Sequence, residues 1–400
     1  MSEPLHTENV PAKEVYKDIK GRPFIDKNPN KAALAIEVAR GRPKEYERVS
    51  TKHGRSMTES ASSKKSVWAG PERGDIYGAS TVKGTAMYQK ISIEVYKDEE
   101  GYVRFKANGL MEDKVVPRIK EISLYMRKNG LPTEMIRSIK KLEFVYIKED
   151  KNWKKIPINE WKQKVLEEAK FRNEPNIDAL KNYLEKTDFI ALERDVQVDE
   201  RLVDLKDAIL EGRLKNFLKP IFKWLNAATY GRDGGLIYGT PSPGIFNLTD
   251  TDIKRYIIDF LPTQMGLYLG RFHRLGLTHR YLHDQNWTAV GTVVDLDSVE
   301  GDSAVRHDHV NTDYDFAKDL EQTVNEVRSL ADIFARHYNL DTEQLYKEIL
   351  GKFVLNYFRE RKVKDFDSIR LNKYDKIFGN GVGKEVLDKV RTELENINIQ

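Results

Sequence analysis

Residues 269–299, LGRFHRLGLTHRYLHDQNWTAVGTVVDLDSV, decide the interpretation of the whole chain. They begin as the end of an amphipathic helix, because Leu269 and Phe272 fall on one helical face. Gly276 is positioned to stop that helix, since glycine readily adopts a positive φ. A polar loop, a hairpin and a short β-branched run follow, and this run leads into two aspartates. The stretch therefore predicts a helix, a loop, a hairpin and a strand, in that order.

Three side chains in this stretch are suited to a divalent cation. Asn286 lies in the polar loop, and Asp295 lies nine residues later at the end of the predicted strand. A hairpin of this length can bring both side chains to one cation that is bound to phosphates, and Mg²⁺ prefers such oxygen ligands. Asp297 is positioned either to bind a second metal ion or to contact the ligands of the first. The stretch therefore predicts a Mg²⁺ site formed by Asn286, Asp295 and Asp297.

The pattern resembles the catalytic and metal-binding loops of protein-kinase-like phosphotransferases, which include aminoglycoside-phosphotransferase-like enzymes. The matching positions, which cover about a tenth of the chain, are Leu269, His273, Gly276, His279, Leu282, His283, Asn286 and Asp295-Leu296-Asp297. This resemblance implies an α+β, two-lobed protein-kinase-like fold with a small β-rich N-lobe and a larger helical C-lobe. It also implies ATP and Mg²⁺ as cofactors.

The sequence departs from that family at the position of its catalytic aspartate, which Tyr281 occupies here. A phenol stays protonated at neutral pH and cannot replace a carboxylate base, so Asp284 and His283 are the candidate catalytic residues. The selenoprotein-O-like AMP-transferases of the same superfamily also lack that aspartate and place an acid immediately before the metal-binding Asn. Here Gln285 holds that position, and Asp284 precedes it. Phosphate transfer, AMP transfer and nucleotide binding without turnover therefore all remain open.

Two glycines upstream are candidates for contact with phosphates. Gly78 and Gly84 lie six residues apart in a β-rich segment, where their backbone N–H groups can approach a phosphate. Their spacing matches neither the kinase glycine-rich loop nor a Walker A loop. A plain hairpin turn built from small residues explains them equally well.

A lysine and a glutamate complete the predicted nucleotide contacts. Lys106 ends the run VRFK, which resembles the strand whose lysine contacts phosphates in kinase-like folds, and Lys83 is a second candidate for that role. Glu121 lies in a helix predicted over about residues 113–128 and is the candidate partner of the lysine. The simpler alternative is that all three side chains are exposed on the surface of a strand or a helix.

The distribution of residue types predicts three segments. Residues 1–70 form an N-terminal arm, partly disordered, since residues 50–66 are rich in Ser, Thr, Lys and Gly. Residues 71–150 form the N-lobe, and residues 151–400 form the helical C-lobe, with the catalytic and metal loops at residues 279–297.

The sequence after residue 158 is predicted to be mostly helical. Residues 198–229 predict two helical pieces with a kink at Pro220, and residues 249–261 predict a helix with Thr249 or Thr251 as its cap. Three further helices are predicted at about residues 316–338, 342–361 and 384–397.

The overall composition narrows the function classes. The 400 residues include 67 basic and 63 acidic side chains, a net charge of +4, and no cysteine, which excludes disulfides and thiolate metal sites. No run approaches the roughly 18 apolar residues that span a bilayer. We expect a cytoplasmic protein that binds a nucleotide and acts on a protein or small-molecule acceptor. The alternatives are a pseudokinase with a regulatory or scaffold role, and a nucleic-acid-associated protein that uses basic residues 40–65.

Overall fold

The computed structural model describes residues 62–63, 79–83, 87–88, 93–97, 101–107, 110–149, 152–196, 200–229, 248–301, 312–361, 377–378 and 381–398. Helices make up the larger part of its regular structure, and small, mainly antiparallel sheets make up the rest. The chain therefore belongs to the α+β class, as the sequence predicts. The predicted N-terminal arm and its basic segment lie outside the described residues, apart from residues 62–63.

The described residues divide into two compact units. The first unit contains those within Met1–Ser66, Ala79–Lys120 and Met135–Asp195. The second contains those within Glu121–Glu134 and Val196–Gln400. The helix that begins at Val116 supplies residues to both units. The predicted division at residue 150 stays a prediction.

Twelve strands occur in the described residues, ten of them in the first part of the chain. They are β1 Ser62–Ser63, β2 Ala79–Lys83, β3 Met87–Tyr88, β4 Ile93–Lys97, β5 Val103–Ala107, β6 Met111–Glu112, β7 Met135–Lys141, β8 Phe144–Glu149, β9 Asn152–Pro157, β10 Phe189–Val196, β11 Leu277–Thr278 and β12 Glu300–Gly301. One sheet has the order β1-β2-β10-β6, and β7 also pairs with β10. A second has the order β3-β8-β9, while β4 with β5 and β11 with β12 form antiparallel pairs.

The helices lie mainly in the second part of the chain. They are α1 Val116–Lys128, α2 Ile158–Phe171, α3 Ile177–Lys186, α4 Leu202–Leu210, α5 Leu214–Thr229, α6 Asp250–Arg255, α7 Leu261–Arg274, α8 Thr312–Tyr338, α9 Thr342–Arg361 and α10 Val382–Asn398. A π-helical turn, Tyr256–Phe260, joins α6 to α7 without a break in the chain's helical course. None of the helices in the described ranges is long and apolar enough for a membrane crossing.

The core of the first unit forms where α2 and α3 meet the strands. Trp161 of α2 and Phe189 of β10 are buried and meet edge to face, with ring centroids 5.5 Å apart. Leu180 and Leu184 of α3 complete the cluster, together with apolar side chains of β5 and β8. The apolar faces of these helices and strands therefore share one interior, which stabilises the unit by removing apolar surface from water.

The core of the second unit is organised by the close contact of α7 with α9. Gly266 and Gly270 lie one turn apart on α7, where they face the backbone of α9. A Cβ atom at Gly266 would lie 2.3 Å from the carbonyl oxygen of Phe353, and one at Gly270 would lie 2.3 Å from that of Tyr357. Only glycine allows the two backbones to approach this closely. The pair of glycines therefore sets the distance between the two central helices.

Several predicted elements are confirmed and others are not. The predicted helices at residues 316–338, 342–361 and 384–397 correspond closely to α8, α9 and α10. The two predicted helical pieces are present, but their division at Pro220 is wrong: α5 continues through Pro220, and the break between α4 and α5 includes Gly212, which has a φ of 65°. The strand β10 was missed, because the region after residue 158 reads as mostly helical in sequence. Of the two predicted caps, Thr249 and Thr251, the structure has Thr249, whose hydroxyl accepts the backbone N–H of Asp252 at 3.2 Å.

Candidate functional site

The loop at residues 279–286 is reached through the end of helix α7. The helix ends at Arg274, and Gly276 follows with a φ of 76°, which confirms the predicted stop. The short strand β11 then pairs with β12, which lies directly after the two aspartates of the stretch. This pairing brings the start of the loop and the segment behind the aspartates to the same place in the second unit.

A buried carboxylate on α8 holds the first residues of the loop. Asp319 accepts the backbone N–H of His279 at 2.7 Å and that of Arg280 at 2.6 Å. Arg280 has a φ of 67°. This value lies in the left-handed region, which is energetically unfavourable for residues other than glycine. Gln322, one turn further along α8, accepts the N–H of Leu282 at 2.7 Å. Helix α8 therefore fixes the backbone of the loop at three successive points.

The same carboxylate is linked to a buried histidine. Nε2 of His273 lies 3.3 Å from Oδ2 of Asp319, and Nδ1 lies 2.9 Å from the hydroxyl of Tyr357. Burial lowers the pKa of His273 to about 4, and the hydrogen bond to Asp319 opposes this shift only in part. The contact is therefore a hydrogen bond from a neutral imidazole, not an ion pair. Arg361 donates to the Tyr357 hydroxyl at 2.5 Å and completes the chain of contacts.

A second ionic cluster holds the middle of the loop. Nζ of Lys206, on α4, lies 3.2 Å from a carboxylate oxygen of Asp284 and also contacts the carboxylate of Glu326 on α8. The Lys206 side chain is 7% exposed, whereas those of Asp284 and Glu326 are 24% and 18% exposed. The backbone carbonyl of Asp284 also accepts the N–H of Val203 at 3.3 Å. Asp284 is therefore tied to α4 by both its side chain and its backbone.

The predicted hairpin after the loop is present and brings Asn286 beside Asp295. The N–H of Val294 donates to the carbonyl oxygen of Asn286 at 3.1 Å, and Trp287 forms a bridge with Val293. Nε2 of His279 lies 2.9 Å from the carbonyl oxygen of Val294, so the loop and the hairpin share a hydrogen bond. The predicted strand is shorter than expected, since only Val293 of residues 292–294 has strand-type pairing.

The side chain of Asn286 is oriented by the loop itself. Its Nδ2 donates to the carbonyl oxygen of Tyr281 at 2.7 Å, and the residue is 5% exposed. Because the amide nitrogen donates a hydrogen bond within the loop, Oδ1 is the side-chain atom that can bind a cation.

Asp295 has an unusual backbone conformation that a second buried carboxylate stabilises. Its φ of 75° and ψ of 52° lie in the left-handed region, and it precedes the 3₁₀ turn Leu296–Ser298, which contains Asp297. Glu134 is 1% exposed, and its carboxylate accepts the N–H of Asp295 at 3.1 Å and that of Leu296 at 3.4 Å. The aspartates therefore lie on a turn, not on a strand end, and a glutamate distant in sequence fixes that turn.

Tyr281, at the position of the family's catalytic aspartate, and the predicted catalytic residue His283 lie at the surface of the loop. Tyr281 is 54% exposed, and Nζ of Lys318 lies 5.3 Å from the centre of its ring. His283 is exposed, and its Nδ1 accepts the N–H of Gln285 at 3.3 Å. Both side chains therefore face solvent on the part of the loop between Arg280 and Asn286.

The predicted phosphate contacts fall partly outside the described residues. Gly78 and Gly84 are not among them. Lys83 ends β2, and Lys106 lies in β5 opposite Glu94, but the side chains of both lysines lie outside what the structure describes. Glu121 lies on α1 and is exposed. The five roles proposed for these residues stay predictions.

The donor atoms near the hairpin suit a hard cation. Asn286, Asp295 and Asp297 offer amide and carboxylate oxygens, which are the ligands that Mg²⁺ prefers. Within the described ranges, no group of three or more His, Cys, Asp or Glu side chains is arranged to hold a metal ion. Oxygen donors of this kind suit an ion that takes further ligands from phosphates and water, and a Mg²⁺ site at these three residues stays a prediction.

Three residues that organise the site were missed in sequence. Asp319, Glu134 and Lys206 lie 40, 161 and 78 residues from the atoms of the loops that they bind. A buried acid inside an apolar helical face is a signal for Asp319, since such positions seldom hold a carboxylate without donors. Glu134 follows Pro132 in a short connection and gives no comparable signal.

Comparison with known proteins finds no relative: no family model matches the chain, and no curated protein matches it.

Proposed function

We propose that this chain is an ATP- and Mg²⁺-dependent transferase with a two-lobed protein-kinase-like fold. It moves phosphate or AMP from the nucleotide to a protein or small-molecule acceptor. The proposal rests on the resemblance of residues 269–299 to the loops of that superfamily and on the geometry that those residues adopt.

The hydrogen bond between Val294 and Asn286 is the observation that carries the proposal. It places the Asn of the loop next to the residue that precedes Asp295, with an N to O distance of 3.1 Å. The backbone positions of Asn286 and Asp295, two residues with oxygen-bearing side chains nine residues apart in sequence, are thereby neighbours across the hairpin. Such convergence is what a cation bound to a nucleotide requires of a protein.

The rigidity of the two loops also supports the proposal. Phosphoryl and nucleotidyl transfer depend mainly on positioning and on charge neutralisation, since the protein does little covalent chemistry itself. Asp319 and Glu134 hold the backbones of the two loops through charge-assisted hydrogen bonds, which are about twice as strong as neutral ones. An enzyme that works by positioning needs its ligand-bearing loops to be held in this way.

Asn286, Asp295 and Asp297 are the residues that would hold the metal. A bound Mg²⁺ would neutralise charge on the phosphates of the nucleotide. Asn286 offers Oδ1, and the two aspartates offer carboxylates on one turn.

Two residues are candidates to accept a proton from the acceptor. His283 is exposed, and histidine is the side chain that most often transfers protons in enzymes, whereas Asp284 has one carboxylate oxygen in an ion pair with Lys206. His283 is therefore the better candidate for proton transfer, and Asp284 is better suited to fixing the loop.

A regulatory, nucleotide-binding pseudokinase is the second candidate function. The observation that favours it is Tyr281, which occupies the position of the catalytic aspartate and is 54% exposed, without a carboxylate of its own. This alternative retains the same metal-binding residues and loses only the transfer step.

The products formed from ATP distinguish these possibilities. The full chain would be incubated with Mg²⁺ and ATP labelled separately at the α and γ phosphates, followed by separation of protein, ADP, AMP, phosphate and pyrophosphate. Phosphate transfer would move the γ label to the acceptor and release ADP, whereas AMP transfer would move the α label to the acceptor and release pyrophosphate. With water as the acceptor, the products would be ADP with phosphate or AMP with pyrophosphate. Asn286→Ala and Asp295→Asn should abolish both, and the exposed control Glu321→Gln should abolish neither. Full activity in the two site variants would refute the assigned residues.

Binding of ATP without either product would favour the pseudokinase. Failure of the wild-type chain to bind ATP in the presence of Mg²⁺ would remove both candidates.

A further inference from the structure

Two residues of the site adopt a conformation that is rare away from glycine. In the described residues, four non-glycine residues have a positive φ: Asn173, Arg280, Asp295 and Asn339. The two asparagines come directly after helices, where a left-handed residue commonly ends the helix. Arg280 and Asp295 do not follow helices; they lie in the two loops of the candidate site. Left-handed backbone at these two positions therefore needs another explanation.

Each of these two residues has its backbone N–H bound by a buried carboxylate. Asp319 accepts that of Arg280 at 2.6 Å, and Glu134 accepts that of Asp295 at 3.1 Å. A left-handed non-glycine residue costs roughly 1–3 kcal/mol and persists only where its surroundings over-determine it. The hydrogen bonds to Asp319 and Glu134 stabilise this conformation, one in each loop.

Glu134 is itself held in a fixed position within the second unit. Its backbone carbonyl accepts the hydroxyl of the buried Ser123 at 2.6 Å. Two residues earlier, the carbonyl of Pro132 accepts the hydroxyl of Tyr268 at 2.7 Å, and the carbonyl of Gly130 accepts Arg271 at 3.2 Å. The segment that carries Glu134 is thus attached to helix α7 at two points. These hydrogen bonds fix the backbone of Glu134, whose side chain contacts the turn that begins at Asp295.

We propose that Glu134 is a positioning residue that holds Asp295 in the left-handed conformation required for binding a nucleotide-bound divalent cation. Without the glutamate, the N–H groups of Asp295 and Leu296 lose the acceptor that favours the left-handed backbone, and the peptide can relax toward a negative φ. The rotation redirects the Asp295 side chain, because φ sets the direction of the Cα–Cβ bond relative to the turn. This inference rests on the proposed function of the same site.

The inference predicts a specific loss of metal-dependent affinity. Titration calorimetry of the full chain would measure the affinity for ATP with excess Mg²⁺ and, separately, for ATP with a chelator. The ratio of the two affinities reports the contribution of the metal. Residues that orient metal ligands change metal affinity by about 10- to 100-fold when removed. We therefore expect Glu134→Ala to reduce the ratio by about that factor, and Glu134→Gln, which keeps one acceptor, to reduce it by less.

Ser123→Ala is the matched control. It removes a buried hydrogen bond to the backbone of the same residue but leaves the Glu134 carboxylate and its two N–H partners in place. We expect the ratio to fall much less than in Glu134→Ala, because the hydrogen bonds to the carbonyls of Pro132 and Gly130 still attach the segment to α7. A purely structural role for Glu134 would lower the unfolding temperature and leave the ratio of the folded protein unchanged.

An unchanged ratio in folded Glu134→Ala would overturn this inference and leave the proposed function intact. An equal loss in Ser123→Ala would also overturn it, because general loosening of the segment would then explain both variants. If Glu134→Ala does not fold, the same comparison is made with Glu134→Gln, and an unchanged ratio there counts against the inference. If wild type does not bind ATP with Mg²⁺ at all, the proposed function fails and the inference fails with it.

Discussion

The carboxylate of Asp319 accepts the backbone N–H of Arg280 at 2.6 Å, and Arg280 holds a left-handed φ of 67°. The same carboxylate, which is fully buried, accepts the N–H of His279 and contacts His273. One side chain on α8 thus joins the end of helix α7 to the start of the loop that carries Asn286. The shape of that loop depends on an acid about 40 residues away in sequence.

Replacing Asp319 should destabilise the second unit substantially. In Asp319→Asn, one acceptor oxygen becomes an NH₂ group that faces a backbone N–H, so a buried donor loses its partner. An unsatisfied buried polar group costs about 1–3 kcal/mol, and we expect a loss of about 2–3 kcal/mol in the free energy of unfolding. Urea denaturation would measure it. The exposed Glu321→Gln, on the same helix, should change stability by less than about 0.5 kcal/mol. Equal stability of the two variants would contradict the role given to Asp319.

The burial of His273 predicts a dependence of stability on pH. The pKa of this imidazole is lowered by burial to about 4 in the folded protein and is about 6.5 when the chain unfolds. Between these values the unfolded state binds a proton that the folded state does not, so stability falls as the pH falls from 6.5 to 4. The full effect is about 3 kcal/mol.

Comparison of two histidine variants over this range tests the assignment. Unfolding free energies of wild type and His273→Gln would be measured from pH 4 to pH 7. The difference between them should shrink as the pH falls, because the variant lacks the group responsible. The exposed His337→Gln should instead follow wild type in parallel. A constant difference between wild type and His273→Gln would show that His273 does not titrate as its burial requires.

The ion cluster around Lys206 should make a measurable contribution to stability. Lys206→Met leaves Asp284 and Glu326 without their shared cation, and both carboxylates are partly shielded from water. We expect a loss of about 2 kcal/mol, since removing one partner of a shielded pair leaves an uncompensated charge. A double-mutant cycle with Glu326→Gln should give a coupling energy of about 1 kcal/mol or more.

The exposed pair Lys215 and Asp250 provides the comparison for that cycle. Its side chains are 55% and 64% exposed, and such pairs typically couple by less than about 1 kcal/mol. A smaller coupling for Lys206 with Glu326 than for Lys215 with Asp250 would contradict the importance of the buried cluster.

Glycine substitutions test the contact between α7 and α9. Gly266→Ala would place a Cβ 2.3 Å from the carbonyl oxygen of Phe353, and this clash with backbone cannot be relieved by a side-chain rotation. We expect a loss of about 1–3 kcal/mol, as for other overpacked interiors. Gly351→Ala, on α9, has open space at its Cβ and should stabilise the protein by about 0.5–1 kcal/mol. Thermal and urea unfolding would measure both. Similar stability changes in the two variants would contradict the close approach.

The sequence predicts local features of this fold better than its long-range contacts. Gly276, the cap at Thr249 and the three final helices follow from short patterns of turn, cap and apolar residues, and all are present. The strand β10 was missed because FIALERDV has both helical and strand character, and its pairing with β7 decides the outcome. Pro220 predicts a break in the helix, but the break lies earlier, at Gly212, and α5 continues through the proline.

The same distinction between local features and long-range contacts applies to the candidate site. The hairpin that brings Asn286 to Asp295 is local, so its spacing could be predicted from the sequence. The support from Asp319, Glu134 and Lys206 could not, since each meets its loop only through tertiary folding. The left-handed conformation of Asp295 was also unpredictable, because a β-branched run before it favours an extended strand. Sequence patterns thus identify the groups that meet a ligand, and tertiary contacts set their direction.

Titration calorimetry with ATP in excess Mg²⁺ measures whether Asn286 and Asp295 bind a nucleotide through a divalent cation. Wild type should bind in a 1:1 ratio, and Asn286→Ala and Asp295→Asn should each weaken binding by about tenfold or more while circular dichroism stays unchanged. The exposed Asn216→Ala should bind as wild type does. Wild-type affinity in both site variants, or no binding by the wild-type chain, would contradict the account.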